Sequence, residues 1–413
     1  MKNSKICVVI PTRERADTLF ATLQSCVDQD YENLEILVCD NFSRDNTKNV
    51  VASFRDLRIR YINPGQRLSM SENWEYAMGH VEADYVTVMG DDDGLIPGAI
   101  GDLVSLMHSH STSILTWKKV EYCWPNHLVS KLRNYLAIPL RNRLVEMSST
   151  RTLRHIYDFK LGYPRGPCIY NSMVSLRHIR EILARDGRLF QSVSPDVYSS
   201  LALASVVDRY LYSSRPFTIN GASAHSNGTS ATRSNVDQSA FQLFLSEYSA
   251  DEVGFKNIQG SITAAVTDSL IQFSRCAKTE TPNLSFRRVF KRILSELSVS
   301  PDLLERNREP VNILAQRHGH GAYVKKLYKN ATERGLTSAP DDECPEFRAI
   351  DGDSVVLWGD RFMLANVSDV SKFTAKVLGE YIPPTQIGSY SLQNALFTKL
   401  VSRMPNINRY LGL

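Results

Sequence analysis

Asp84–Gly98, DYVTVMGDDDGLIPG, is the stretch on which the reading of this chain turns. Tyr85 to Met89 is a run of β-formers that stops at Gly90. Asp91, Asp92 and Asp93 follow, then Gly94 and, a few residues on, Pro97. The pattern predicts a buried strand ending in a turn, with Pro97 at the first position of the next helix. Adjacent carboxylates repel, so folding alone gives little reason to set three of them at a strand end. Two readings remain. One is a solvated acidic turn. The other is a site for Mg²⁺ or Mn²⁺, whose natural ligands are carboxylate oxygens and which usually also hold substrate phosphates.

The neighbouring segments favour the second reading. Ile6 to Ile10 is wholly apolar, as expected of a strand buried on both faces of a parallel sheet, and Pro11 and Thr12 end it. Asp17 to Val27 carries Leu19, Phe20, Leu23 and Val27 on one helical face. Leu34 to Cys39 reads as a second strand ending at Asp40, with Ser43, Asp45 and Thr47 as turn and cap residues of a short helix. Arg58 to Ile62 alternates like a third strand, and Ser69 to Val81 is helical in pattern. Strands alternating with helices imply right-handed crossovers and a mainly parallel α/β sheet. Ligands bind such sheets outside the carboxyl ends of the strands. Thr12, Asp40 and the three acids each directly follow a predicted strand, so the fold rule gathers them on one edge.

Beyond Pro97 the pattern predicts a helix to about His110 and one strand over Ser113–Trp124, paired with a strand over Val129–Ile138. Helices follow over Arg151–Lys160 and Leu176–Leu183, with a strand over Cys168–Val174 between them. Ser194 and Pro195 open a further helix with Asp196 in its first turn. Arg209–Ile219 reads as one late strand. Residues 1–236 therefore form one domain. Residues 237–413 read as a mostly helical region for acceptor binding, association between copies or membrane contact. Its helices are expected over 238–249, 258–278, 285–297, 309–334 and 368–381, with a strand over Ser354–Trp358 and a polar break over 337–346.

Composition narrows the class. The 413 residues are 43% apolar and carry a net charge of +4, so no nucleic-acid partner is expected. No stretch approaches the roughly 18 apolar residues needed to cross a bilayer. The seven cysteines are scattered without a CxxC pair, which points to reduced thiols, a cytoplasmic setting and no structural zinc. Phe286–Leu294, FRRVFKRIL, is basic and amphipathic. It reads as an ordinary helix with a solvated basic face, or as a helix lying on the inner face of a membrane.

With these residues in place, residues 5 to about 225 resemble the family 2 glycosyltransferases of the GT-A fold. The segment VVIPTRERADTLFATLQSCVDQDYENLEILVCDNFSRDNT resembles that family's opening, and MGDDDGLIPGAI resembles its acidic metal motif. The resemblance implies transfer of a sugar from a nucleotide diphosphate sugar, expected to be UDP-linked, with inversion, to a glycan or lipid-linked acceptor, using Mn²⁺ or Mg²⁺. Pro11, Thr12, Arg13, Glu14 and Asp40 then match the nucleotide site, and Asn73 a donor-positioning residue. Asp93 is the leading metal ligand, with Asp91 or Asp92 reaching the ribose or the metal. Asp196 matches the general base, and His225 a position that completes the metal site in some members. Arg165 and Arg233 are candidates for pairing with phosphate. The chain departs from the family pattern at Gly90 and Pro195, where acids are common. Two rivals remain. A nucleotidyltransferase would normally carry a Gly-rich loop where PTRERAD stands. A degenerate domain used as a scaffold would bind no nucleotide.

Overall fold

The computed structural model describes residues 4–226, 246–248, 254–333, 350–351 and 354–381. Most of the expected helix at 238–249, the polar break at 337–346 and Arg233 lie outside the described residues. Strands β1 (Ile6–Thr12), β2 (Leu34–Asp40), β3 (Ile59–Ile62) and β4 (Tyr85–Val88) form one end of a sheet in the order β3-β2-β1-β4, all parallel. Helices α1 (Ala16–Val27), α2 (Thr47–Ser53) and α3 (Met70–Met78) connect them. Ile6, Val8, Ile10, Ile36 and Val38 face one core, and Cys7, Val9, Leu37 and Cys39 face a second on the opposite side. This two-sided burial is why β1 reads as a continuous apolar run up to Ile10 and β2 as one interrupted only by Glu35.

The acidic turn does not lead straight into a helix. A two-residue strand, β5 (Gly94–Leu95), intervenes, and α4 (Ala99–Ser109) starts after Pro97, with Gly98 as its N-cap residue. Two segments expected as single strands are each split between two sheets. Ser113–Trp124 becomes β6 (Ile114–Trp117) and β7 (Val120–Cys123). After it come β8 (Tyr135–Pro139), β9 (Leu144–Ser148), α5 (Ser149–Tyr157), β10 (Ser172–Ser175), α6 (Leu176–Asp186) and α7 (Pro195–Ala204). Arg209–Ile219 becomes β11 (Arg209–Ser213) and β12 (Thr218–Ala222). The first halves, β6 and β11, extend the main sheet, where they pair in parallel. The second halves, β7 and β12, pair in parallel in a second sheet, which also holds β5 and β8. The bends fall at Lys118–Lys119 and at Ser214–Arg215–Pro216. Charged residues and a proline without an N–H interrupt the apolar runs there.

The C-terminal part is mostly helical. Helices Ile262–Cys276, Phe286–Leu297, Pro301–Arg306, Arg308–Arg317 and Gly321–Glu333 pack around Phe255, Phe290 and Leu297. The single helix expected over 309–334 is thus two helices. Strand Ser354–Trp358 pairs antiparallel with β8, and helix Val367–Tyr381 packs Val367, Val370 and Val377 into the first core. The apolar stripe of FRRVFKRIL is buried, with Val289, Phe290, Ile293 and Leu294 inside this helical core. On its basic face, Arg288 pairs with Asp158 at 2.8 Å and Arg292 donates to the Phe159 carbonyl. Within the chain this helix therefore has no apolar face left to lay on a membrane. Among the described residues no helix is long and apolar enough to cross one.

Candidate active site

Strands β1, β2 and β4 end on one edge. Thr12 and Asp40 are register partners across β1 and β2, and the Met89 N–H bonds the Val9 carbonyl, so the acids emerge beside Thr12. The Asp40 carboxylate is buried and held in place: the Tyr61 hydroxyl donates to Oδ2 at 2.6 Å and the Ser43 N–H to Oδ1 at 3.0 Å. The Thr12 hydroxyl is buried without a well-formed hydrogen bond among the described residues, yet lies near enough to Asp91 to favour that carboxylate's charged form. Glu14 builds the loop beside it. Its backbone is left-handed at φ 54, and its carboxylate accepts the N–H groups of Arg44 and Asp45 at 2.9 and 3.1 Å. Pro11, the next-to-last residue of β1, pairs with Cys39. Arg13 forms a two-pronged pair with Glu247 at 2.9 and 3.0 Å.

Asp91, Asp92 and Asp93 are all buried, and each is held differently. Asp92 Oδ2 accepts from the N–H and hydroxyl of Ser223, at 3.2 and 2.8 Å, and from the Ser226 hydroxyl at 2.5 Å. Asp93 takes backbone N–H groups on both oxygens, from Gly221 at 2.7 Å and from Gly90 at 2.9 Å. Tyr170 adds its hydroxyl. Asp91 accepts no backbone N–H among the described residues; Arg15 stands 3.7 Å from it and 3.8 Å from Asp92. So Asp92 and Asp93, the latter expected as the leading metal ligand, each accept three hydrogen bonds that fix the turn, and Asp91 is the carboxylate least used in it.

Burial raises the Asp91 carboxyl to about 6, with the Arg15 charge opposing and the Asp92 charge adding to the shift. Burial, then the Asp92 charge, raises Asp93 to about 6 as well. Among the described residues no three His, Cys, Asp or Glu side chains enclose a cation. None is required, because Mg²⁺ and Mn²⁺ are commonly held by one or two carboxylates with substrate phosphates completing the shell. Hard oxygen donors with under-compensated negative charge fit such an ion, and Asp91 and Asp92 are the residues that would hold it. The sign of the pH dependence follows. A carboxyl whose folded value is raised favours the folded state while protonated, and costs stability as pH climbs through the ordinary value towards 6. Mn²⁺ competes with those protons. Added Mn²⁺ should therefore raise the melting temperature clearly at about pH 7.5 and little at about pH 5, in a thermal-shift series. Equal stabilisation at both pH values would refute this.

Gly90 and Gly221 are required by close approach. A Cβ on Gly90 would lie 2.3 Å from the Tyr170 hydroxyl, and one on Gly221 1.7 Å from the Asp92 carbonyl oxygen. The absent acid at position 90 is thus matched by a tyrosine hydroxyl in the same space. Tyr170 stacks on Trp74 at 5.8 Å. On the other side of the Cys168–Tyr170 segment lies Asp196, in the first turn of α7. Its Oδ2 accepts the Tyr163 hydroxyl at 2.7 Å, and the Cys168 thiol donates to its carbonyl. Here Pro195 sits within α7 as a first-turn residue.

Three expected residues point elsewhere. Asn73 is buried and exchanges contacts with Cys39, tying α3 to β2. The His225 side chain is exposed and 4.0 Å from Asp17; only its carbonyl reaches the site, where it accepts from Arg15. Arg165 lies over the Tyr212 ring at 4.1 Å. Conversely, Arg15, Tyr61, Tyr170, Gly221 and Ser223 were not singled out in the sequence. Arg15 sits in RER beside the first strand, a usable signal; the others come from segments with no local motif.

The topology and the acidic edge together define an α/β fold of the GT-A type. Residues 7–179 match the family described as "Glycosyl transferase family 2". Over 103 residues the chain is 34% identical to "GalNAc(5)-diNAcBac-PP-undecaprenol beta-1,3-glucosyltransferase" of Campylobacter jejuni, covering 24% of this chain and 33% of the relative. Over 126 residues it is 24% identical to "UDP-Glc:alpha-D-GlcNAc-diphosphoundecaprenol beta-1,3-glucosyltransferase WfaP" of Escherichia coli, covering 30% and 47%. The matches thus span a third to a half of these relatives. Among solved structures, S. aureus TarS 1–349 in complex with UDP-GlcNAc aligns with a TM-score of 0.46 and 14% identity, over 80% of this chain and 92% of that one.

Proposed function

We propose that the chain transfers a sugar from a uridine diphosphate donor to a lipid-linked glycan acceptor, with inversion. The observation that carries this reading is the shared edge where Thr12, Asp40 and Asp91 meet, with Asp196 beyond the Cys168–Tyr170 segment. Asp40 receives the base: its buried oxygens keep lone pairs for a ring N–H. Phe42, exposed at 43%, lines a cleft with Glu14, Arg44, Gly65, Gln66 and Arg67 on this side of the site. Asp91 and Asp92 hold the cation, which when bound offsets the charge that builds on the departing diphosphate. Asp196 takes the proton from the acceptor hydroxyl as the new bond forms on the opposite face of the sugar. The undecaprenyl diphosphate glycans in the relatives' names supply the acceptor class. A thermal-shift and calorimetric screen of UDP, GDP and their sugars with Mn²⁺ tests the reading. A UDP-selective, Mn²⁺-dependent response is expected, and Asp91→Ala should weaken it at least tenfold. No response to any nucleotide would favour the scaffold; pyrophosphate release from a nucleoside triphosphate would favour the nucleotidyltransferase.

A further inference from the structure

We propose that Lys119, Asn220 and Glu121 form the subsite that reads the hydroxyl groups of the transferred sugar, an inference that rests on the donor site proposed above. The two strand bends create it. Lys119 sits at the bend before β7, Glu121 lies in β7, and Asn220 lies opposite Glu121 in the parallel register with β12. Lys119 Nζ donates to Asn220 Oδ1 at 2.5 Å, and Asn220 Nδ2 donates to Glu121 Oε2 at 2.8 Å. The amide stands between ammonium and carboxylate in a relay, and each keeps hydrogen-bonding capacity for a ligand.

The position of the relay argues for the sugar. On one side it is joined to the acidic turn: Gly221, next to Asn220, holds Asp93, and Lys119 lies 4.5 Å over the ring of Tyr170, whose hydroxyl bonds Asp93. On the other side, the Cys168–Tyr170 segment under Lys119 reaches Asp196, whose carbonyl accepts the Cys168 thiol and whose carboxylate accepts the Tyr163 hydroxyl. The relay therefore spans the interval between the groups assigned to the diphosphate and the group assigned to the acceptor. In a displacement on the anomeric carbon, that interval holds the sugar ring. The chemistry matches. Sugar hydroxyls both donate and accept; a carboxylate accepts, an ammonium donates and an amide does both. Glu121 is solvent-exposed and open to a ligand, while desolvation raises its carboxyl above the ordinary value.

The test separates the sugar from the nucleotide. Full-length wild type, Glu121→Gln and Lys119→Met are compared by calorimetry with UDP and Mn²⁺, and by turnover on UDP-glucose, UDP-galactose and UDP-GlcNAc. In both variants UDP affinity should stay within about twofold. kcat/KM for the preferred donor should fall about tenfold or more, and discrimination between the two epimers, which differ at one hydroxyl, should shrink. An unchanged donor ranking in either folded variant overturns the proposal. So does a loss of UDP affinity that matches the loss of turnover, because the relay would then belong to the nucleotide site. Should wild type bind no nucleotide with Mn²⁺, the donor-site reading itself fails, and a different result has been obtained. Glu121→Gln preserves shape; should it not fold, Lys119→Met alone decides by the same comparison.

Discussion

Replacing Asp196 by asparagine should lower transfer about 10²- to 10⁴-fold while leaving UDP affinity with Mn²⁺ within about twofold of wild type. Asparagine keeps the shape, and its side-chain oxygen can still accept the Tyr163 hydroxyl, now bonded to Asp196 at 2.7 Å. The first turn of α7 is preserved. What disappears is the ability to take a proton. A carboxylate that only favoured the helix terminus would cost at most about 1 kcal/mol of stability on replacement and leave turnover intact. Steady-state kinetics with the best donor, together with calorimetry and a melting curve, separate the two roles. Loss of nucleotide binding in parallel with turnover would show that Asp196 supports the donor site instead.

The second large effect is expected from a single methyl group. In Gly221→Ala the added carbon would lie 1.7 Å from the Asp92 carbonyl oxygen and 2.8 Å from the Trp124 indole nitrogen. The first contact is with backbone, so no rotamer relieves it. The acidic turn must move, which breaks the Gly221 N–H bond to Asp93 and the Trp124 bond to the Asp92 carbonyl. Overpacking and a buried carboxylate left short of donors together cost on the order of 3 kcal/mol or more. Mn²⁺-dependent nucleotide binding should fall about 100-fold. Gly101→Ala, on α4, is the matching control, since its added methyl meets nothing within 4 Å. Its melting temperature should be unchanged or slightly raised. If Gly221→Ala binds UDP and Mn²⁺ like wild type, the acidic turn is not the nucleotide site.

The parallel strands at the start were legible because burial on both faces makes their runs mostly apolar: Ile6–Ile10 is wholly so, and Leu34–Cys39 is interrupted only by Glu35. Their tips were legible for the same reason: Thr12, Asp40 and Asp91 are the first polar residues after those runs. The splitting of Ser113–Trp124 and Arg209–Ile219 into two sheets was not, because a bend between two buried strands hardly changes the apolar pattern. Nor could sequence show that Gly90 faces a tyrosine hydroxyl from a segment far along the chain.

Taken alone, the sequence determined the parallel α/β core, the edge on which chemistry gathers and the acidic character of that edge. These depend on local hydrophobic period and on a general rule of chain topology, both written residue by residue. Only the tertiary structure decided how the three acids divide their work. It spends Asp93 on the N–H groups of Gly90 and Gly221, ties Asp92 to Ser223 and Ser226, and leaves Asp91 beside Arg15. Three identical side chains in a row carry no difference in sequence. Their difference lies in which distant backbone donors reach them, and that is fixed only when β12 packs against the turn.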